Sequence, residues 1–140
     1  MMSRAAVLLL SGDADSAEMY AVGLSLAGFQ PMVAADASSM RSCIAEQLPH
    51  AVVIDLTPGW QTGWEALREL RGMPDTRDTP VVLLFGEGED FIRSRVEAPG
   101  CSALLAKPCL PDALVGAVRA ALQTRPAISA ADAGNSFWDR

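Results

Sequence analysis

The chain has 140 residues, of which 50% are hydrophobic and 20% are charged, a composition typical of one globular domain with its own core. Its formal net charge of −6 disfavours a nucleic-acid partner, because phosphate binding requires clustered Lys and Arg. No apolar stretch approaches the roughly 20 residues of a membrane span, and the N-terminus lacks the layout of a signal peptide, so we expect a cytoplasmic protein without a membrane partner.

Five short apolar segments are predicted to be strands. They are nearly continuous rather than alternating, as expected for strands of a parallel sheet that is covered on both faces. In chain order they are Ala5–Leu10, Pro31–Ala34, Ala51–Ile54, Pro80–Leu84 and Ser102–Ala106.

Helical patterns follow these strands. The first begins with an N-cap signal at Asp15 and ends at Gly28. Its predicted inward face carries Met19, Val22, Leu24 and Leu26. The second is predicted over Ala37–Leu48, with inward residues at a spacing of four, namely Met40, Ile44 and Leu48.

Three further helices are predicted in the second half of the chain, over Trp64–Arg71, Glu89–Val96 and Pro111–Leu122. The last has Pro at a first-turn position. Its predicted inward residues are Leu114, Val115 and Val118.

The alternation of strand and helix predicts a doubly wound α/β fold. Crossovers between parallel strands are right-handed, so five repeats give a five-stranded parallel sheet with five helices on its two faces. After Leu122 the composition changes, and Arg125–Arg140 has no periodic apolar face. We therefore predict one domain over residues 1–123 and a flexible tail over residues 124–140, with Phe137 and Trp138 as its apolar point.

In such sheets, ligand-binding and catalytic residues lie at the carboxyl ends of the strands. Asp55 follows the third strand, Lys107-Pro108 follows the fifth, and Ser11-Gly12 follows the first. Phe85-Gly86 follows the fourth strand. We expect these residues to meet at one edge of the sheet.

These motifs resemble the receiver domain of bacterial response regulators. Residues 4–123 are covered by the resemblance, which rests on Asp55–Gly59 with Gly63–Glu65, on Thr79–Leu84, and on Gly100–Pro108 with its Lys-Pro pair. It implies a flavodoxin-like fold with strand order 2-1-3-4-5. It also implies a role in two-component or phosphorelay signalling rather than an enzyme activity of its own.

In that family an Asp accepts a phosphoryl group from a histidine kinase, and an acidic pair after the first strand helps it to hold Mg²⁺. The resemblance makes Asp55 the candidate phosphoacceptor and Lys107 the phosphate-binding Lys. Cations are needed because negative charge gathers on the transferring group. Ser11 and Gly12 stand where the acidic pair is expected, and neither has a carboxylate.

Other family positions also differ in this chain. Asp13 matches an acidic residue just after the pair, and with Asp55 it is a weak candidate metal ligand, although capping of the first helix is the favoured role. Phe85 occupies the position of a Ser or Thr that binds the phosphate. Leu104 replaces the aromatic residue that rotates on activation, so Phe85 and Leu104 are the candidate switch residues, and we expect both to pack in the core.

We therefore expect an atypical receiver, a pseudo-receiver, with no cofactor. It would act mainly by binding a signalling protein, such as a histidine kinase or phosphotransfer protein, with metal-dependent phosphorylation impaired or lost. A homodimer through the face formed by the predicted helix 89–96, the fifth strand and the last helix is possible. Direct contact between Lys107 and Asp55 is expected without metal.

Two alternatives stay open. The chain can be a working receiver that is phosphorylated on Asp55 with Mg²⁺ as cofactor and Asp13 as an improvised ligand. A flavodoxin-like nucleotide or flavin binder is less favoured, because Ser11-Gly12-Asp13 is not a Gly-rich phosphate loop.

Overall fold

A five-stranded parallel sheet forms the centre of the computed structural model, which describes residues 4–56, 61–85, 103–106 and 110–124. The strands are β1 (Ala6–Leu10), β2 (Gln30–Ala34), β3 (Ala51–Leu56), β4 (Val81–Phe85) and β5 (Ala103–Ala106). Their order in the sheet is β2-β1-β3-β4-β5, and every neighbouring pair is parallel. This confirms the predicted strands and their order.

Four helices lie in the described residues: α1 (Ala14–Leu26), α2 (Ala37–Glu46), α3 (Gln61–Gly72) and α4 (Pro111–Thr124). The predicted helix Glu89–Val96 and the predicted tail fall outside the described residues. α4 begins at Pro111, as predicted, since the missing N–H of Pro is not needed in a first turn. None of the described helices has the length and apolar composition needed to cross a membrane.

The two faces of the sheet carry separate hydrophobic clusters. Side chains alternate between the faces of a strand, so each strand contributes to both. One cluster joins Val52, Ile54, Leu56, Leu83 and Phe85 to residues of α2 and α3. The other joins Ala51, Val53, Val82 and Leu84 to residues of α1 and α4. The predicted inward residues of α4 are confirmed, because Leu114, Val115 and Val118 all belong to this second cluster.

The predicted inward face of α1 is wrong in three of its four residues. Leu24 is buried, but Met19, Val22 and Leu26 are 43%, 52% and 85% exposed. The inward face is instead formed by Ala17, Tyr20 and Leu24. α1 has apolar residues on both faces, and hydrophobic spacing alone does not show which of them the sheet covers.

Three smaller predictions also need correction. α2 ends at Glu46, so Leu48 lies beyond the helix and is 47% exposed. β2, at the edge of the sheet, is only partly buried, and Val33 is 48% exposed. α3 begins at Gln61 rather than Trp64, which places Trp64 inside the helix and in the core.

α1 and α4 approach each other closely at one glycine. A Cβ atom built on Gly23 would lie 2.6 Å from Cβ of Pro111, closer than real carbon contacts allow. Arg119 reinforces the same contact further along α4, where its Nη2 donates a hydrogen bond to the carbonyl oxygen of Ala27 at 3.0 Å. Gly23 is thus the residue that lets the start of α4 pack against α1.

Candidate functional site

Asp55 is the only charged side chain among the described residues classed as buried, with no exposed surface. It is the fifth of the six residues of β3, paired across the sheet with Leu84. Alternation along the strand puts its side chain on the same face as Val53, which α1 and α4 cover. A carboxylate in such a place requires partners, because burial of an unpaired charge is very unfavourable.

Ser11 supplies one of these partners. Its Oγ donates a hydrogen bond to Oδ2 of Asp55 at 2.9 Å, and the serine itself is 3% exposed. The backbone fixes this position, since Ser11 follows β1 directly and its N–H donates to the carbonyl oxygen of Ala34 at 3.0 Å. The two side chains meet because β1 and β3 are neighbours whose carboxyl ends lie at one edge of the sheet.

The same hydroxyl holds the loop between β1 and α1. Ser11 Oγ accepts a hydrogen bond from the backbone N–H of Asp13 at 3.1 Å and lies 3.2 Å from the Asp13 carbonyl oxygen. A serine hydroxyl has one proton and two acceptor lone pairs, so donation to Asp55 and acceptance from Asp13 are compatible. Ser11 thus connects Asp55 to the start of α1.

The carboxylate of Asp13 lies on the surface. Asp13 is exposed and occupies the N-cap position of α1, so the predicted N-cap signal at Asp15 is wrong and Asp15 lies in the first turn. Its Oδ2 accepts a hydrogen bond from the hydroxyl of Ser16 at 2.6 Å, and within the described residues it caps no backbone N–H of the helix. Gly12, between the two, is exposed and contributes no side chain.

Among the described residues, this donor set has few of the ligands that Mg²⁺ prefers. The ion takes hard oxygen ligands in a near-octahedral shell and usually one or two carboxylates from the protein. At the position of the expected acidic pair, Ser11 donates its proton to Asp55 and Gly12 has no side-chain ligand atom. In the part of the chain that the structure describes, no three His, Cys, Asp or Glu side chains are grouped so that they could hold a metal.

Phe85 is a core residue. It ends β4, is 4% exposed, and packs in the cluster between the sheet and helices α2 and α3. Its cross-strand partner is Leu56, so it lies on the face opposite to Asp55. The expectation that Phe85 packs in the core is therefore confirmed, and its ring offers no donor to a phosphate.

Two predicted site residues are not placed. Lys107 and the expected Lys107–Asp55 contact lie outside the described residues, and the description of Leu104 stops at its backbone in β5. The predicted dimer face falls largely outside them too, because it includes residues 89–96. These stay predictions.

The role of Ser11 as a hydrogen-bond donor was missed by the sequence analysis. Ser11 was identified only by what it lacks, a carboxylate. The available signal was its position, because a hydroxyl directly after a buried strand, next to a strand that ends in Asp, is within reach of that carboxylate.

Comparison with known sequences gives several significant relatives, although no model of a known protein family matches the chain. The phosphate regulon transcriptional regulatory protein PhoB of Escherichia coli is 31% identical over 118 residues, which are 84% of this chain and 51% of that protein. The C4-dicarboxylate transport transcriptional regulatory protein DctD of Pseudomonas aeruginosa is 31% identical over 119 residues, which are 85% of this chain and 25% of that protein. The chain spans about half the length of PhoB and a quarter of DctD.

Two solved response regulators match this chain over nearly their full length. A putative response regulator from Chloroflexus aurantiacus has 29% identity and a TM-score of 0.78, covering 86% of this chain and 99% of that one. The chemotaxis response regulator CheY4 of Vibrio cholerae has a TM-score of 0.75 and 22% identity, covering 85% of this chain and 99% of that one, a likeness of fold alone. The chain is therefore similar in sequence to response regulators of two-component systems, and it shares the flavodoxin-like fold of their receiver domains.

Proposed function

We propose that this receiver domain is a pseudo-receiver, which acts mainly by binding other signalling proteins while its metal-dependent phosphorylation is impaired or lost. The observation that carries the proposal is the buried hydrogen bond of 2.9 Å from Ser11 Oγ to Asp55 Oδ2. It gives the carboxylate a neutral partner at the position where the family resemblance implies an acid.

The chemical difference between Ser and an acid at position 11 is large. Two carboxylates a few ångströms apart repel each other, and a cation relieves that repulsion. A hydroxyl instead attracts the carboxylate without any ion, and a hydrogen bond to a charged acceptor is among the stronger ones in proteins. Ser11 therefore stabilises the Asp55 carboxylate without a metal ion, and the site has fewer acidic ligands for Mg²⁺.

Phosphoryl transfer would meet a second obstacle at the same edge of the sheet. Charge on the transferring group needs donors and cations placed before the reaction begins. Gly12 has no side chain, and Phe85 is turned into the core with no hydrogen-bond donor. The proposal thus rests on three positions that each remove one part of the expected chemistry.

The proposed partners are signalling proteins of the two-component type, such as a histidine kinase or a phosphotransfer protein. The comparisons include regulators of transcription and a receiver domain from a signal transduction histidine kinase of Syntrophus aciditrophicus. A binding role needs only the folded surface, so it does not depend on turnover at Asp55. We also propose that the protein works in the cytoplasm, as the sequence predicts.

Isothermal titration calorimetry with MgCl₂ tests the proposal. The unmodified protein is expected to give no binding heat in the millimolar range. The double variant Ser11→Asp with Gly12→Asp restores the two carboxylates and is expected to bind Mg²⁺ at millimolar concentration, because three acids then surround one point.

The matched control is Asp55→Asn in the double variant, which should lose most of the restored binding. Binding of Mg²⁺ by the unmodified protein, removed by Asp55→Asn, would refute the pseudo-receiver proposal. That result would favour the working receiver, with Asp13 as the improvised ligand. The proposal is equally contradicted if the restored carboxylates give no binding, since the missing acids would then not explain the loss.

A further inference from the structure

Two hydrogen bonds join the amino end of β1 to the residue before β3. The backbone N–H of His50 donates to the carbonyl oxygen of Ala6 at 2.8 Å, which extends the ladder between the two strands by one bond. The backbone N–H of Ala6 donates to Nδ1 of the His50 imidazole at 3.0 Å. The first residue of β1 is therefore held by both the backbone and the side chain of one histidine.

Ala6 depends on the imidazole because its backbone lies in the core. Ala6 has no exposed surface, and a buried N–H without an acceptor is unfavourable. His50, in contrast, is exposed. The ring thus lies at the boundary between the core and the solvent, where it accepts a hydrogen bond from the core and remains accessible to protons from water.

The direction of this bond defines the protonation state of the ring. An imidazole nitrogen that accepts a hydrogen bond carries no proton, so His50 is neutral here and its proton is on Nε2. Protonation from the solvent would add a proton to Nδ1 and place two N–H groups against each other. Both ring nitrogens of the imidazolium are donors, so the bond from Ala6 is then lost.

We infer that His50 is an acid-sensitive latch on the amino end of β1. The neutral ring holds Ala6 next to β3, and its protonation releases the N–H of Ala6. Histidine is the side chain that ordinarily changes its charge between about pH 5 and pH 8, so the latch responds in that range. It lies at the opposite end of β1 from Ser11 and is independent of the proposed function at Asp55.

The charged residues around the latch are on the surface. They lie on the segments that lead into the neighbouring strands: Arg4 before β1, Glu46 at the end of α2, and Arg77 and Asp78 before β4. All four are exposed, and in the part of the chain that the structure describes none of them forms an ion pair with His50. Water and salt screen such charges, so the bond to Ala6 is the interaction that protonation removes.

NMR of the imidazole nitrogens tests the assigned protonation state in the unmodified protein. His50 is the only histidine of the chain, so the ring signals of a protein without a histidine tag belong to it alone. Near pH 8, where an ordinary histidine is neutral, the proton is expected on Nε2, with Nδ1 unprotonated. A neutral ring with its proton on Nδ1 would overturn the inference, because that nitrogen could not accept from Ala6.

Hydrogen exchange of the Ala6 amide tests the release. Its protection factor, which corrects for the ordinary pH dependence of exchange, is expected to fall by about 10-fold or more between about pH 7.5 and pH 5. The amide of Leu8, the central residue of β1, should change much less. The matched variant is His50→Asn, whose amide oxygen can accept the same bond but does not titrate in this range.

His50→Asn should keep the Ala6 protection nearly constant over the same range of pH, and His50→Ala should lower it at both ends. An unchanged Ala6 protection factor in the unmodified protein would overturn the latch. An equal fall in His50→Asn would also contradict it, since the histidine would not be the group that responds. So would an equal loss at Leu8, because acid would then unfold the whole strand rather than release its amino end.

Discussion

Replacement of Ser11 by Ala measures how much the hydroxyl contributes to holding Asp55 in the core. The substitution removes one oxygen, which donates to Asp55 Oδ2 at 2.9 Å and accepts from the N–H of Asp13 at 3.1 Å. Ser11 is 3% exposed and Asp55 is 0% exposed, so water does not readily replace the lost donor. The fold offers the carboxylate no new partner at position 11.

The expected loss follows from the chemistry of the two bonds. A hydrogen bond to a charged group contributes about 1.5–3 kcal/mol to stability, and a charged acceptor buried without its donor is costly. The N–H of Asp13 is in an exposed loop, where water substitutes for the lost oxygen at little cost. We therefore expect Ser11→Ala to lower the free energy of unfolding by about 2 kcal/mol.

Urea denaturation of the variant and the unmodified protein measures this difference, with an unchanged slope showing that the unfolded state is comparable. The matched control is Ser16→Ala, which removes a hydroxyl bonded at 2.6 Å to the exposed carboxylate of Asp13. Its effect should stay within about 0.5 kcal/mol, as for most surface substitutions.

A double-mutant cycle of Ser11→Ala with Asp55→Asn isolates the pair. The effects should be non-additive by about 1 kcal/mol or more, because the two groups share one bond. If Ser11→Ala costs no more than Ser16→Ala, or if the cycle is additive, the hydroxyl does not stabilise the carboxylate and the reasoning fails.

Two further predictions concern packing and pH. Gly23→Ala should lower the free energy of unfolding by about 1–3 kcal/mol, because its Cβ would lie 2.6 Å from Cβ of Pro111 and one helix must move. Gly116→Ala, in α4 with nothing within 4 Å of the new atom, should instead stabilise the protein by about 0.5–1 kcal/mol in the same urea assay; equal effects at the two sites would show that the helices do not meet as described. The pKa of Asp36 is held below its usual 3.8 by the backbone N–H and then the hydroxyl of Ser39, so Asp36 stabilises the fold above that pH and loses its contribution as the pH falls through the lower folded-state pKa. Asp36→Asn keeps the helix cap without the titration, so the stability difference between the two proteins should change on lowering the pH from about 6 to about 3, and a constant difference would contradict the role of the charge.

The fold was predictable because the strands of a parallel sheet with helices on both faces appear in the sequence as continuous apolar segments. Val52, Ile54 and Leu83 point to one face and Val53 and Leu84 to the other, so both faces appear in the sequence. The alternation with helical segments then leaves few topologies.

The inward face of α1 could not be predicted from the apolar spacing. Met19 and Val22 satisfy a helical apolar spacing as well as Ala17 and Tyr20 do, and only the packing on the sheet decides between the two faces. The apolar spacing therefore predicts the outer stripe to be buried, which is wrong. The exposure of this stripe is visible only in the folded structure.

The site was predictable in its position but not in its bonding. Asp55 and Ser11 lie at the carboxyl ends of two strands, which predicts that they lie at one edge of the sheet, and β1 and β3 are indeed neighbours. Whether Ser11 leaves a gap or makes a bond depends on the rotamer of its side chain and on the backbone of the loop, which no spacing rule provides. The bond to Asp55 changes the interpretation of Ser11 from a missing ligand to a replacement partner.

The central claim is that Asp55, paired with Ser11, is no longer an efficient metal-dependent phosphoacceptor. The most direct test is the intact mass of the full chain after incubation with acetyl phosphate and MgCl₂. The account predicts no gain of a phosphoryl group, with or without the ion. A Mg²⁺-dependent gain of one phosphoryl group that Asp55→Asn abolishes would contradict it.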